Sequence, residues 1–120
     1  MSDFETSAKL FKTLMHPARL EILDVLRAGE HCVCHIEAAL GYRQAYISQQ
    51  LSVLRDAGLI QDRRDGWNVY YRVTQPQVYA LLDVAITMTG GQFNRRTASS
   101  AAELDNCPCP RCQSAETVAA

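Results

Sequence analysis

The stretch GEHCVCHIEAALGYRQAYISQQLSVLRDAGLI, residues 29–60, holds two helical patterns separated by a short break at Gly41-Tyr42. The first pattern closes near Gly41, and the second runs from about Arg43 to Ala57 and stops at Gly58, a residue type that commonly ends helices. On the second helix Ile47, Leu51 and Leu54 recur at helical spacing and should pack inward. Gln44, Ser48 and Ser52 share a different face, with Ala45 and Gln49 beside them. Glutamine and serine are neutral and both donate and accept hydrogen bonds, so such a face can read base edges in a major groove. The same face suits an ordinary solvated helix, and the helix pair alone does not decide between the two.

The neighbouring sequence does. LIQDRRDGWNVYYRV, residues 59–73, carries the hairpin signal Asp65-Gly66, and Trp67, Val69, Tyr71 and Val73 alternate with Asn68, Tyr70 and Arg72. Arg63, Arg64 and Arg72 flank the turn, where a wing following a helix-turn-helix meets phosphate or the minor groove. Upstream, Ser2 with Glu5 resembles a capping box, and Phe4, Ala8, Phe11, Leu14 and Met15 line one face of a first helix. HPARLEILDVLRAG, residues 16–29, restarts the chain with Pro17 in a first helical turn and Gly29 at the end. Its apolar residues Leu20, Leu23, Val25 and Leu26 spread around the helix, so it should be buried. A fifth helix follows Pro76 with Val78, Leu81, Leu82, Ala85, Ile86 and Thr89, and Gly90-Gly91 closes it. The expected fold is mainly α with a small β-hairpin: a winged helix-turn-helix with extra helices at both ends. Residues 1–96 form this domain, and residues 97–120, rich in Ala, Ser and Glu, form a flexible cysteine-containing tail.

A chain of 120 residues, 48% hydrophobic and 21% charged, suits one globular domain. No apolar run approaches the roughly 20 residues of a membrane span, and the first residues lack the apolar core of a secretion signal. A cytoplasmic protein with no membrane partner is expected. The net charge of −1 does not announce a nucleic-acid partner. Residues 43–72 hold five arginines against three aspartates, a mild local excess of positive charge.

LMHPARLEILDVL, GEHCVCHIEAAL, YISQQLSVLRDAGLI and RRDGWNVYYRV together resemble the ArsR/SmtB family of small metal- and metalloid-sensing repressors, over roughly Phe4 to Ile86. The resemblance implies a homodimer joined by its first and last helices. It also implies binding to double-stranded operator DNA without ligand and release when ligand arrives. The expected DNA-binding residues are Gln44, Ala45, Ser48, Gln49, Arg63, Arg64 and Arg72.

The family's ligand sites differ, and two can be tested. The zinc site on the last helix begins Asp-x-His; this chain has Asp83-Val84-Ala85 and no histidine after His35, so that site is missing. The other is the arsenic-sensing pair, which Cys32 and Cys34 resemble. The family's third cysteine falls where this chain has Glu37, and pyramidal arsenite or antimonite needs three thiolates. The tail offers Cys107, Cys109 and Cys112 in CPCPRC. From Arg96 the chain to Cys107 can extend about 35 Å at roughly 3.3 Å per residue, enough to reach the pair in its own or a partner subunit. Residues two apart on a helix point about 200° apart, so both thiols can hold one ion only where the helix start is unwound or strained. Ligand binding there would pull on the helix that supports the reading helix.

Thiolate sites favour soft ions, with As(III) or Sb(III) the expected inducer and Cd, Pb or Zn the alternative if four sulfurs gather. A thiol redox or sulfur sensor is a second reading. The tail triplet also suits a separate metal site, and buried cysteines can serve as small hydrophobes. His31 and His35 flank the pair and could ligate a borderline ion, but the expected roles are to face solvent or cap. A thiol-dependent enzyme is disfavoured: no supporting base, catalytic serine set or phosphate-binding glycine loop is evident, and Cys109-to-Cys112 falls in the tail.

Overall fold

The computed structural model describes residues 2–91. Five helices and three strands follow in the order α1 (Asp3–Leu14), α2 (Pro17–Val25), β1 (His31–Cys32), α3 (Val33–Leu40), α4 (Gln44–Asp56), β2 (Ile60–Asp65), β3 (Asn68–Val73) and α5 (Val78–Met88), with a 3-10 turn over Leu26–Ala28. This is the expected winged helix-turn-helix with a helix added at each end. Local chemistry sets the boundaries. Ser2 caps α1 by accepting the Glu5 N–H at 3.1 Å, and Pro17 opens α2. Gly41 ends α3 in a left-handed conformation at φ 78°, open to glycine without steric cost.

The core is one cluster. Ile22, Leu23, Ile36, Ile47, Leu51 and Leu54 are fully buried where α2, α3 and α4 meet, and Leu59, Ile60 and Val78 seal the edge. The inward stripe expected on α4 is therefore present. Gln50 is buried beside it and accepts a hydrogen bond from Arg19 Nε at 2.8 Å, while Arg19 Nη1 donates to the Thr13 carbonyl at 3.1 Å. One guanidinium thus ties the end of α1 and the start of α2 to the reading helix.

The sheet departs from the simple hairpin in two ways. It has three antiparallel strands in the order β1-β3-β2, because His31 pairs with Tyr71 and Cys32 with Tyr70. Second, both faces of β3 are covered: Tyr71 and Val73 pack against the core as the alternation indicated, Tyr70 on the opposite face is buried as well, and Trp67 at the loop stands fully exposed. The short strand β1 lies edge to edge with β3 and sets Cys32, itself buried, opposite Tyr70. The hairpin loop is Gly66-Trp67, with Asp65 paired to Asn68.

The terminal helices expose apolar residues. On α1, Leu10 and Leu14 rest on the core while Phe4, Phe11 and Met15 point outward. On α5, Val78 and Leu82 are buried while Leu81, Val84 and Met88 are exposed. α5 is anchored by the Arg27–Asp83 ion pair, 2.8 Å and 3.2 Å, and by Tyr79 donating its O–H to the Leu23 carbonyl at 2.7 Å. Among the described residues no helix is long and apolar enough to cross a membrane.

Candidate nucleic-acid interface and thiol site

The polar face of α4 lies opposite its buried stripe. Gln44, Ala45, Gln49 and Ser52 are exposed and Ser48 is half-buried. Arg43 precedes α4, no side chain caps the helix there, and Gln44 and Ala45 at its start are exposed. A helix start without a side-chain cap and with short polar side chains is suited to a phosphate and the base edges next to it.

The wing arginines are not equivalent. Arg64 is exposed and has no ion-pair partner among the described residues. Arg72 donates to Gln61 Oε1 across the strands at 2.8 Å and is exposed. Arg63 is engaged: Nη2 and Nε donate to the two oxygens of Glu30 at 2.6 Å and 3.1 Å, and its guanidinium lies 5.0 Å from the Tyr70 ring centre. One residue earlier on β2, Asp62 pairs with Arg55 at 3.7 Å and links the wing to α4.

The thiols straddle a junction. Cys32 is extended (φ −84°, ψ 168°), pairs in β1, and caps α3 by accepting the His35 N–H on its sulfur at 3.4 Å. Cys34 sits in the first turn of α3 and is half-buried; Cys32 is buried. Because one residue is strand-like and the other helical, the two need not point to opposite sides as they would on a continuous helix. Both line an open pocket of about 330 Å³. Its other walls are Val33 and Gln44, the first residue of the reading helix, and Trp67, Asn68 and Val69 from the wing. That wing wall was not evident from the sequence.

The histidines take a different place from the expected one. His31 and His35 stack face to face, centroids 3.8 Å apart and 4° from parallel, and His35 is buried. Burial pushes the His35 imidazole below its ordinary value, so the neutral ring is favoured. Among the described residues no three His, Cys, Asp or Glu side chains gather as a metal site. The donor set there is two thiols, soft and fit for part of a thiophilic ion's coordination. Cys107, Cys109 and Cys112 lie outside the described residues, as does the expected domain boundary at residue 96.

Residues 16–62 match the family model described as "Bacterial regulatory protein, arsR family". The chain is 43% identical over 76 residues to the Biofilm growth-associated repressor of Agrobacterium fabrum, covering 63% of this chain and 65% of that relative. It is 39% identical over 87 residues to the Arsenic resistance transcriptional regulator ArsR1 of Pseudomonas putida, covering 72% and 67%. The crystal structure of the transcriptional repressor BigR from Xylella fastidiosa superposes with a TM-score of 0.66 at 37% identity, covering 72% of this chain and 88% of that one.

Proposed function

The chain belongs to the arsR family of helix-turn-helix bacterial transcriptional repressors, and from that membership we propose that it is a cytoplasmic homodimer that binds operator DNA and releases it when Cys32 and Cys34 take up a thiophilic ion, with arsenite or antimonite the favoured inducer. Gln44, Ala45, Ser48 and Gln49 read the major groove, and Arg64 and Arg72 hold the backbone. The exposed apolar faces of α1 and α5 meet their copies in a partner, presenting two reading helices to two half-sites.

The observation that carries the sensing half is the shared pocket. Two thiols, the first residue of the reading helix and the wing tip line one space, so a group bound to sulfur touches both DNA-contacting elements. The third sulfur comes from the tail, through Cys107, Cys109 or Cys112. Recruitment of further tail thiols would instead build a four-sulfur site for cadmium, lead or zinc. The half-exposure of Cys34 beside Cys32 also supports a second reading, in which oxidation of the thiols is the signal.

The deciding experiment measures operator binding by the full chain against arsenite, antimonite, cadmium, lead, zinc and an oxidant, with and without truncation after Asn106. Release by arsenite that weakens on truncation supports the tail-completed site. Release by arsenite that ignores truncation removes the tail from it. Release by oxidant alone replaces the ion reading with the redox one.

A further inference from the structure

A closed circuit of contacts joins the thiol strand to the wing. Tyr70 of β3 is the register partner of Cys32 on one side and of Arg63 on the other. Arg63 lies against the Tyr70 ring and grips Glu30 through two charge-assisted bonds. Glu30 stands two residues before Cys32 on the segment leading into β1. Starting from the cysteine, the circuit runs through the β1–β3 ladder to Tyr70, across to Arg63, through the ion pair to Glu30, and back along the chain.

We propose that Glu30 and Arg63 are positioning residues that transmit the state of the Cys32/Cys34 pocket to the wing, and that Arg63 serves this coupling rather than contacting DNA. The proposal rests on the thiol-sensing reading above. Its physical basis is geometric. The ladder alone spans two residue pairs between β1 and β3. The bidentate pair adds a second connection between the same two segments. It also fixes a planar guanidinium whose five donors accept only a narrow range of carboxylate positions. Moving Cys32 to meet a ligand shifts Glu30 with it, and the fork passes the shift to β2. The wing that carries Arg64 then turns relative to α4. The pair joins an arginine side chain 49% exposed to a glutamate side chain 13% exposed, so it reaches from the wing surface into the segment that leads to Cys32. A guanidinium satisfied by Glu30 and stacked on Tyr70 would also have to give up both partners to reach a phosphate.

The test uses the full chain with Cys107, Cys109 and Cys112 changed to Ser, so that thiol chemistry is confined to the pocket. Methyl methanethiosulfonate blocks the pocket thiols as methyl disulfides, releasing methanesulfinate, and mass spectrometry counts the additions. Operator affinity is measured before and after blocking, and the intact chain is titrated in parallel with sodium arsenite. Wild-type affinity should fall on blocking by a factor within the roughly 5–150-fold span of coupled sites. Glu30→Gln keeps the shape of the side chain and removes its charge. Its unblocked operator affinity should stay within about threefold of wild type, by the modest worth of such a pair, while the loss on blocking shrinks towards none. Arg63→Gln should behave the same way, and the double variant should be no worse than either single, as expected of two ends of one link. An unchanged loss in Glu30→Gln overturns the proposal. So does an Arg63→Gln protein whose unblocked operator affinity collapses with a shallower salt dependence, because Arg63 would then be a phosphate contact. If blocking acts and arsenite does not, only the choice of inducer fails. If neither acts on the wild type, the thiol reading and the coupling fall together.

Discussion

The sulfur of Cys32 accepts the backbone N–H of His35 at 3.4 Å, so a candidate ligand atom is also the cap of the helix that precedes the reading helix. The two roles separate by substitution. Serine is a strong N-cap residue, so Cys32→Ser should retain the wild-type melting temperature or exceed it. Cys32→Ala should lose about 1 kcal/mol with the cap. Both should bind operator and fail to release it with arsenite, because neither supplies a soft thiolate. Thermal unfolding and operator titration check the two halves; a Cys32→Ser protein that still releases at wild-type arsenite concentrations would remove Cys32 from the site.

On the reading face, Ser48→Ala with Gln49→Ala should cost about 1–3 kcal/mol of discrimination between operator and random DNA while sparing non-specific binding. Arg64→Ala should weaken both kinds of binding and lower the salt slope by about 1. Competition binding at several salt concentrations measures each; full discrimination by the double alanine variant would displace the reading surface from this face.

The terminal helices predict two different outcomes for the same kind of change. Val84 is 56% exposed and Phe11 57% exposed, so Val84→Glu or Phe11→Glu should leave a folded chain that sediments as a monomer and loses operator binding. Leu82 is 9% exposed within its own subunit, so Leu82→Glu should unfold the chain by burying an unpaired charge. Sedimentation velocity with circular dichroism separates the cases, and a dimeric Val84→Glu protein would take that face of α5 out of the interface.

Tyr79 predicts an alkaline limit. Burial pushes its phenol well above the ordinary value of 10.0, and the protonated O–H donates to the Leu23 carbonyl. A pKa raised in the folded state gives stability that is complete below about pH 10 and is lost as pH climbs above it, because the unfolded chain releases the proton first. Tyr79→Phe should cost about 1 kcal/mol at neutral pH and reduce the further loss on going to pH 11. Urea unfolding at both pH values tests this; an unchanged alkaline loss in Tyr79→Phe would assign it to other groups.

The helices were legible because their signals are local. Ser2 caps, Pro17 opens, Gly41 and Gly58 close, and the Ile47-Leu51-Leu54 stripe faces the core. The sheet was legible only in part. Two residues, His31 and Cys32, are too few to show a period, and β1 exists only because β3 lies alongside to receive it. With tyrosines at both 70 and 71, both faces of β3 carry an aromatic ring: Tyr71 packs on the core as the alternation indicated, while the burial of Tyr70 on the other face beside Arg63 was not visible. In the candidate site the thiol pair was visible from its spacing. The wall supplied by Trp67, Asn68 and Val69 was not, and neither was the Glu30–Arg63 bond between residues 33 apart, since both depend on how the hairpin folds back.

Helix α1 rests Leu10 and Leu14 on the core yet buries none of its 12 residues. A helix of that length is marginal by itself in water. Held along so thin a seam, it should open first: its amide protons exchange sooner than those of α4, and proteases find it before any other helix. Shielding by a second molecule would slow that clearance. Clearance of such a chain would then be fastest while its copies are too dilute to meet one another, and would slow as they accumulate.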